Sequence, residues 1–169
     1  SNGVAWGYAN IGNGAFASYD IVNDKWKQFG LGCAEAGNNN GLGVTRECNS
    51  GGGPAAGWYG RVVDGSLIGD EPFTGDERGD VQRFSVGSLL RDINDNNIVV
   101  GNHDISCLDL PNPLCFEKFK PVKWLPDDDD QWGDAIQMQQ LGSADKSAAM
   151  RISNSDPPFA IGFSQGDDG

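Results

Sequence analysis

The stretch from Asp92 to Cys107 limits the fold more than any other part of the chain. Five of the six residues at 92–97 are Asp or Asn, which is typical of a turn because short polar side chains bond to nearby backbone and tolerate a left-handed conformation. The apolar, mostly β-branched residues that follow predict a buried strand over 98–105. Alternation over 81–86 predicts another strand, which we expect to lead into this turn and complete a hairpin.

The remainder of the chain has the same turn-rich character. It contains 25 Gly, and Asp far outnumbers Glu, which favours turns and loops over helices. Short alternating segments recur between Gly, Asn and Asp clusters, and we find no helical period longer than about ten residues. We therefore predict one all-β domain over 1–169, an antiparallel β-sandwich or barrel with long Gly/Asn-rich loops. Residues 30–57 are expected to form one such surface loop.

The net charge of −12 restricts the partners. Binding to nucleic acid or to an anionic membrane requires clustered Lys and Arg, so neither partner is expected. No apolar run approaches the roughly 20 residues that cross a bilayer. A neutral glycan or a protein surface is the partner that fits this charge. Because the chain opens on Ser1-Asn2-Gly3, we interpret it as a mature or trimmed chain from which any signal peptide has already been removed.

Four cysteines are present, Cys33, Cys48, Cys107 and Cys115, and no two are spaced as Cys-x-x-Cys. Their even number predicts two disulfides, and local pairing in sequence order is the favoured one of three connectivities. Closing a loop of about 15 residues is worth about 3 kcal/mol in the chain-entropy model. The alternative is one bridge and two buried thiols. Disulfides imply an oxidising compartment, so we expect a secreted, extracellular protein.

Asp92, Asn94 and Asn96 alternate as oxygen ligands do in calcium loops. The segment resembles the first half of a calcium loop of the EF-hand or dockerin kind, which implies these three residues as metal ligands. It departs from that pattern at Asn97, where the loop normally has Gly, and at His103, where it normally has a bidentate carboxylate. The alternative is a hairpin turn without a metal, because such turns are also rich in Asn and Asp. The expected cofactor is therefore none, or calcium.

Two other fragments have simpler interpretations. The run Gly101-Asn102-His103-Asp104 resembles the block by which metallophosphoesterases bring Asn and His to two metals, but this chain has one histidine. We interpret that run as a strand end. The run Asp127–Asp130, together with Asp134, predicts a solvated acidic loop, with weak calcium binding as the alternative.

Three aromatic residues, Trp58, Tyr59 and Trp132, lie beside glycines or acidic residues. Flat rings next to polar side chains are typical of sugar-binding surfaces, so these residues are the candidate ligand-binding set. The alternative is that they fill the core, as most large aromatic residues do.

These features predict a secreted, non-catalytic binding or interaction protein that recognises a glycan or cell-wall component, with or without calcium. The alternative is a small secreted hydrolase that cleaves polysaccharide with a pair of carboxylates. The densest carboxylate set for that reaction is Asp70, Glu71, Asp76 and Glu77. No catalytic pair can be chosen from the sequence, and we favour the binding protein over the enzyme.

Overall fold

The computed structural model describes residues 4–9, 15–20, 24–31, 33–46, 60–64, 80–85, 87–104, 119–129, 131–140 and 146–165. These residues form strands, turns and irregular connections, and no helix occurs among them. The all-β prediction is therefore confirmed for this part of the chain. It contains no helix of the length and apolarity that a membrane crossing needs.

The strands form three sheets. The first sheet has the order β1-β2-β3 and consists of β1 (Val4–Ala9), β2 (Ala15–Asp20) and β3 (Lys25–Leu31). The second has the order β4-β5-β6-β7 and consists of β4 (Cys33–Gly37), β5 (Leu42–Arg46), β6 (Gly60–Asp64) and β7 (Asp80–Arg83). All strand pairs in these two sheets are antiparallel.

The third sheet has the order β13-β12-β10-β9-β8, with β11 beside β10. Its strands are β8 (Ser88–Ile93), β9 (Val99–Asp104), β10 (Phe119–Trp124), β11 (Ile136–Gln137), β12 (Lys146–Ile152) and β13 (Ala160–Gln165). The pair β10–β12 is parallel and is made through Phe119 and Lys146. The third sheet is therefore mixed, where an antiparallel fold was expected.

The described strands do not close into a barrel. Residues 30–57 were expected to form a loop, and that prediction is wrong for 33–46, which form the β4–β5 hairpin. Val44 lies in the core and Ala36 packs against it. The asparagine and glycine residues of this segment are concentrated in the turn at 38–41. The single domain over 1–169 stays a prediction.

The predicted hairpin around the Asp/Asn turn exists, but its first strand is different. Residues 88–93 form β8, which pairs with β9 across the turn at 94–98. Of the alternating segment 81–86, residues 81–83 belong to β7, which pairs with β6 in the second sheet, and Phe84 and Ser85 follow that strand. Val86 lies outside the described residues. A hydrogen bond from the N–H of Ser88 to the carbonyl oxygen of Ser85, at 3.1 Å, lies between β7 and β8.

The second and third sheets share one apolar core. It is built from buried residues of five strands and two connections, namely Val44, Val62, Phe84, Leu90, Ile93, Val99, Val122, Trp124 and Trp132. Strand β8 packs against β4, β5 and β6. The contact is close because β6 begins at Gly60, where an added Cβ would lie 2.3 Å from Cγ of Leu90. Beside the core, Glu35 of β4 pairs with Arg46 of β5 and with Arg91 of β8.

Two strand pairs of the third sheet contain the same local irregularity. The β8–β9 register shifts between Leu90 and Asp92, and the residue opposite Leu90 is Gly101. The β12–β13 register shifts between Ala149 and Arg151, and the residue opposite Ala149 is Gly162. These shifts are β-bulges, which increase local twist and bend the strand. At both sites a glycine allows the two backbones to approach closely, because an added Cβ would lie 2.0 Å from a carbonyl oxygen of the bulged strand.

Candidate functional site

A cleft of about 640 Å³ lies beside the shared core. Its lining comes from β7 and the residues just after it, from β9, β10 and β11, and from the connection before β11. The lining residues are Gln82, Arg83, Phe84, Ser85, His103, Lys120, Val122, Trp124, Trp132, Gly133, Asp134, Ala135 and Gln137. The cleft therefore lies where the second and third sheets meet, and its volume is in the range of small-molecule sites.

Three aromatic rings and Val122 form the apolar part of this cleft. Phe84 lies between two tryptophans, with ring centroids 5.3 Å from Trp124 and 6.2 Å from Trp132. The contact with Trp124 is edge-to-face, at an interplanar angle of 77°, which is a favoured aromatic geometry. All three rings are buried and belong to the core. The apolar wall is thus a rigid extension of the core.

Trp132 is fixed by hydrogen bonds from two directions. Its backbone N–H donates to Oε1 of Gln82 at 2.6 Å, and its carbonyl oxygen accepts a hydrogen bond from Nε2 of Gln82 at 2.7 Å. The Gln82 side chain thus binds both backbone groups of Trp132, as a neighbouring strand would. The indole Nε1 donates to the carbonyl oxygen of Asn97 at 2.7 Å, in the β8–β9 turn. This wall of the cleft is therefore tied to that turn.

The accessible rim of the cleft is polar and carries both signs of charge. Arg83, Ser85, Asp134 and Gln137 are exposed, and Lys120 is half-buried. His103 also lines the cleft but is 8% exposed. The rim therefore offers hydroxyl, amide, cationic and carboxylate groups above an apolar wall.

The turn behind Trp132 is joined to the β4–β5 turn by asparagine side chains. Nδ2 of Asn38 donates to the carbonyl oxygen of Asn94 at 3.0 Å and to Oδ1 of Asn97 at 2.8 Å. Nδ2 of Asn40 donates to the carbonyl oxygen of Asp95 at 2.7 Å and to Oδ1 of Asn97 at 2.9 Å. Asn97 accepts both donors with a left-handed backbone, φ 59°. We use the name loop clasp for three turns together: the β4–β5 turn at 38–41, the β8–β9 turn at 94–98, and the turn at 153–154 described below.

Asn39 completes the contact between the first two turns. Its backbone N–H and its Nδ2 each donate to one carboxylate oxygen of Asp95, both at 2.8 Å. These two hydrogen bonds hold the pKa of the Asp95 carboxyl below its ordinary value. The contact is therefore strongest when Asp95 is ionised.

The connection between β12 and β13 is the third member of the loop clasp. Nδ2 of Asn94 donates to the carbonyl oxygen of Ser153 at 3.1 Å, and the N–H of Asp95 donates to Oδ1 of Asn154 at 2.8 Å. Beside it, Oδ2 of Asp92 accepts the N–H of Ile152 at 2.9 Å. Burial raises the pKa of the Asp92 carboxyl, although this N–H and the Arg151 charge act in the opposite direction.

The predicted calcium ligands lie in or beside the loop clasp, and two of them are engaged by backbone N–H groups. Oδ1 of Asn94 accepts the N–H of Asn96 at 3.1 Å and that of Ile98 at 2.9 Å, and Asn94 is buried. Oδ2 of Asp92 accepts a hydrogen bond from the N–H of Ile152. The side chain of Asn96 is exposed. Within the described ranges, no three His, Cys, Asp or Glu side chains come together as a metal site would require. The calcium site stays a prediction.

The predicted sugar-binding residues have different positions. Trp132 lines the cleft but is 4% exposed, so its ring serves as a wall and not as an open platform. Trp58 and Tyr59 lie outside the described residues, as do the predicted catalytic carboxylates at 70–77.

The predicted disulfides stay predictions. Cys33 is the first residue of β4, and its side chain is not described. Cys48, Cys107 and Cys115 lie outside the described residues.

The described residues of the acidic run, Asp127, Asp128 and Asp129, lie in a turn before Trp132, and Asp130 lies outside the described residues. Oδ1 of Asp127 accepts the N–H of Asp129 at 3.0 Å and that of Gln131 at 2.9 Å. Asp127, Asp128 and Asp129 are exposed, as the solvated-loop prediction required. The turn brings Pro126 and Trp132 together as a β-bridge and so positions the cleft wall.

Most of the cleft could not be identified from sequence. No sequence motif includes Gln82, Phe84 or Lys120. His103 was considered only as part of resemblances to metal sites. Alternation over 81–86 predicted a strand, but the hydrogen-bond partner of the Gln82 side chain lies 50 residues further along the chain. Comparison of the chain with protein families, curated proteins and solved structures finds no match.

Proposed function

We propose that this chain is a secreted, non-catalytic binding protein that recognises a neutral glycan or cell-wall component in the cleft, carried on a β-sandwich. The observation that carries the proposal is the lining itself, an apolar wall beneath an open rim of hydroxyl, amide and charged groups. Sugars present both hydroxyl groups and apolar CH faces, so they match a site that offers both kinds of contact.

The charge of the cleft favours binding over hydrolysis. A glycosidase needs two carboxylates on opposite sides of the scissile bond, roughly 5–10 Å apart. The described lining contains one carboxylate, Asp134, which is exposed. The lining also contains Arg83 and Lys120, so the cleft lacks the strong acidity of the whole chain. Hydrolysis remains the second candidate only through the carboxylates at 70–77.

The Gln137→Ala variant tests the cleft. Gln137 lines the cleft and is exposed, so its amide is available to sugar hydroxyls. Loss of one or two such hydrogen bonds is expected to weaken glycan binding by about tenfold, equivalent to about 1.4 kcal/mol. The measurement is calorimetric titration with soluble neutral oligosaccharides of glucose, xylose, mannose and N-acetylglucosamine.

Gln139→Ala is the matched control, because Gln139 is exposed on the same segment and does not line this cleft. Its affinity is expected to equal that of the unmodified chain. Trp124 and Trp132 provide an independent readout, since their fluorescence should change when the cleft is filled. If no oligosaccharide in the panel binds, or if both variants bind equally well, the proposed site is wrong.

Calcium assistance is the part of the proposal that rests on sequence spacing. Calcium at Asp92, Asn94 and Asn96 would compete for side-chain oxygens of the first two residues that already accept backbone N–H groups. Binding would therefore be weak, about millimolar, as in extracellular calcium modules.

Calcium addition is expected to raise the melting temperature if the site exists. Saturation to 100 times the Kd adds about 2.7 kcal/mol to the free energy of unfolding. The measurement is thermal unfolding with calcium, with magnesium and with EDTA. Asn96→Ala should abolish the calcium effect, since this side chain is exposed and can be removed without loss of packing. An identical melting temperature in calcium and EDTA would exclude this component.

A further inference from the structure

We propose that β13 is a homodimerisation edge, at which two copies of this chain pair their β13 strands antiparallel about a two-fold axis. The inference does not depend on the proposed glycan cleft, because the two surfaces share no lining residue.

Strand β13 is an open edge of the third sheet. It pairs with β12 on one side, and no strand of the described residues pairs with its other side. Natural edge strands are protected from pairing by charged side chains, by proline or by a bulge in the edge itself. The sequence from Phe159 to Gln165 contains no charged residue and no proline, and the bulge of this pair lies on β12. Within the described residues, the edge therefore lacks these three forms of protection.

The same edge exposes large apolar side chains. Phe159 is 62% exposed, Ile161 is 60% exposed and Phe163 is 49% exposed. Alternate residues of a strand point to the same face, so these three side chains form one apolar row. Phe163 is oriented by an edge-to-face contact with Phe119 of β10, with centroids 6.5 Å apart. Contiguous exposed apolar surface of this kind marks interaction sites.

A two-fold register centred on Gly162 makes the row self-complementary. In that register Ile161 of each copy lies opposite Phe163 of the other, and Phe159 lies opposite Gln165. Directly opposite residues in an antiparallel pair share a face and pack together, and aromatic–β-branched pairs are among the favourable ones. Gly162 at the centre allows the two backbones to meet without a side chain on the axis. An isologous pair of this kind closes at two copies.

Charge also favours a second copy in this orientation. Lys146 lies beside Gln165 at one end of the edge hairpin, and Asp156 lies in the connection before β13, at the other end. Both side chains are exposed. Antiparallel pairing places the end of each hairpin that carries Lys146 next to the end of the other hairpin that carries Asp156. At a net charge of −12 two copies repel each other in general, but this hairpin carries Lys146, Arg151 and a single acid in its described residues.

Analytical ultracentrifugation of the full chain, from about 1 μM to about 1 mM, tests the proposal. A concentration-dependent monomer–dimer equilibrium is expected. Ile161→Lys places a charge opposite Phe163 of the other copy and should weaken the dimer at least tenfold. Ile136→Lys is the matched control, because Ile136 is also an exposed isoleucine, 43% exposed, but lies on β11. Circular dichroism checks that both variants are folded.

The charge pair tests the register. Lys146→Asp and Asp156→Lys should each weaken the dimer, and the double variant should restore it, because neighbouring hairpin ends again carry opposite charges. A chain that stays monomeric over the whole range overturns the proposal. A dimer that Ile161→Lys leaves intact, or a double variant without rescue, contradicts pairing through β13 in this register.

Discussion

Gly101→Ala is expected to lower the free energy of unfolding by about 3 kcal/mol or more, a large effect for one methyl group. The added Cβ would lie 2.0 Å from the carbonyl oxygen of Leu89 and 3.2 Å from Cα of Leu90. Both contacts are with backbone of the paired strand β8, which cannot swing away as a flexible side chain can. Relief requires β8 and β9 to separate at the centre of the shared core. The measurement is urea unfolding followed by tryptophan fluorescence.

Two other glycines serve as controls for this experiment. At Gly133 an added Cβ meets no atom within 4 Å, so Gly133→Ala should change stability by less than about 0.5 kcal/mol. Gly41 also has open space, but its φ is +86°, so Gly41→Ala should cost about 1 kcal/mol through backbone strain alone. If Gly101→Ala is no more destabilising than Gly41→Ala, the close approach at the bulge is not a constraint on the fold.

Asn94→Ala is expected to cost about 3 kcal/mol, because it removes the central side chain of the loop clasp. Asn94 is 1% exposed and makes three hydrogen bonds through its amide, to the N–H groups of Asn96 and Ile98 and to the carbonyl oxygen of Ser153. A buried polar group left without its partner costs about 1–3 kcal/mol, and part of that is recovered where water can enter. The same unfolding assay measures the loss.

Asn96→Ala is the control within the same turn, since Asn96 is exposed and its stability change should stay within about 0.5 kcal/mol. Asn94→Asp separates the two roles of the amide. It keeps the acceptor for two N–H groups but replaces the donor to Ser153 with a second acceptor, so an intermediate to large loss is expected. Equal stability of Asn94→Ala and Asn96→Ala would mean that the loop clasp adds nothing to the fold.

Local patterns in the sequence predicted the strands better than their partners. Alternation predicted a strand over 81–86, of which 81–83 belong to β7, and β-branched residues predicted a strand over 98–105, of which 99–104 form β9, because each pattern reflects one strand's own pleat. The pairing of these two segments was predicted wrongly, because β7 pairs with β6 in the second sheet and β8 is the strand that pairs with β9. Nothing within either segment specifies which neighbour its backbone will meet.

The Gly/Asn-rich segment gives the opposite lesson. Its composition suggested a loop, yet 33–46 form two strands, because the turn letters Asn38 to Gly41 are confined to the hairpin tip. The function of those asparagines depends on Asp95 and Asn97, which lie more than 50 residues away. The Asp/Asn pattern at 92–97 was recognised as a turn. The sequence of that segment does not indicate which other turns its side chains contact. The cleft was missed for the same reason.

The loop clasp has a consequence for how long the folded molecule lasts. Its hydrogen bonds join residues 55 to 59 positions apart in the chain, so they can form only after three separate hairpins have been brought together. Contacts that form after the transition state slow unfolding and leave the folding rate almost unchanged. We therefore expect the loop clasp to govern the lifetime of the native state against proteases, which is a form of kinetic stability.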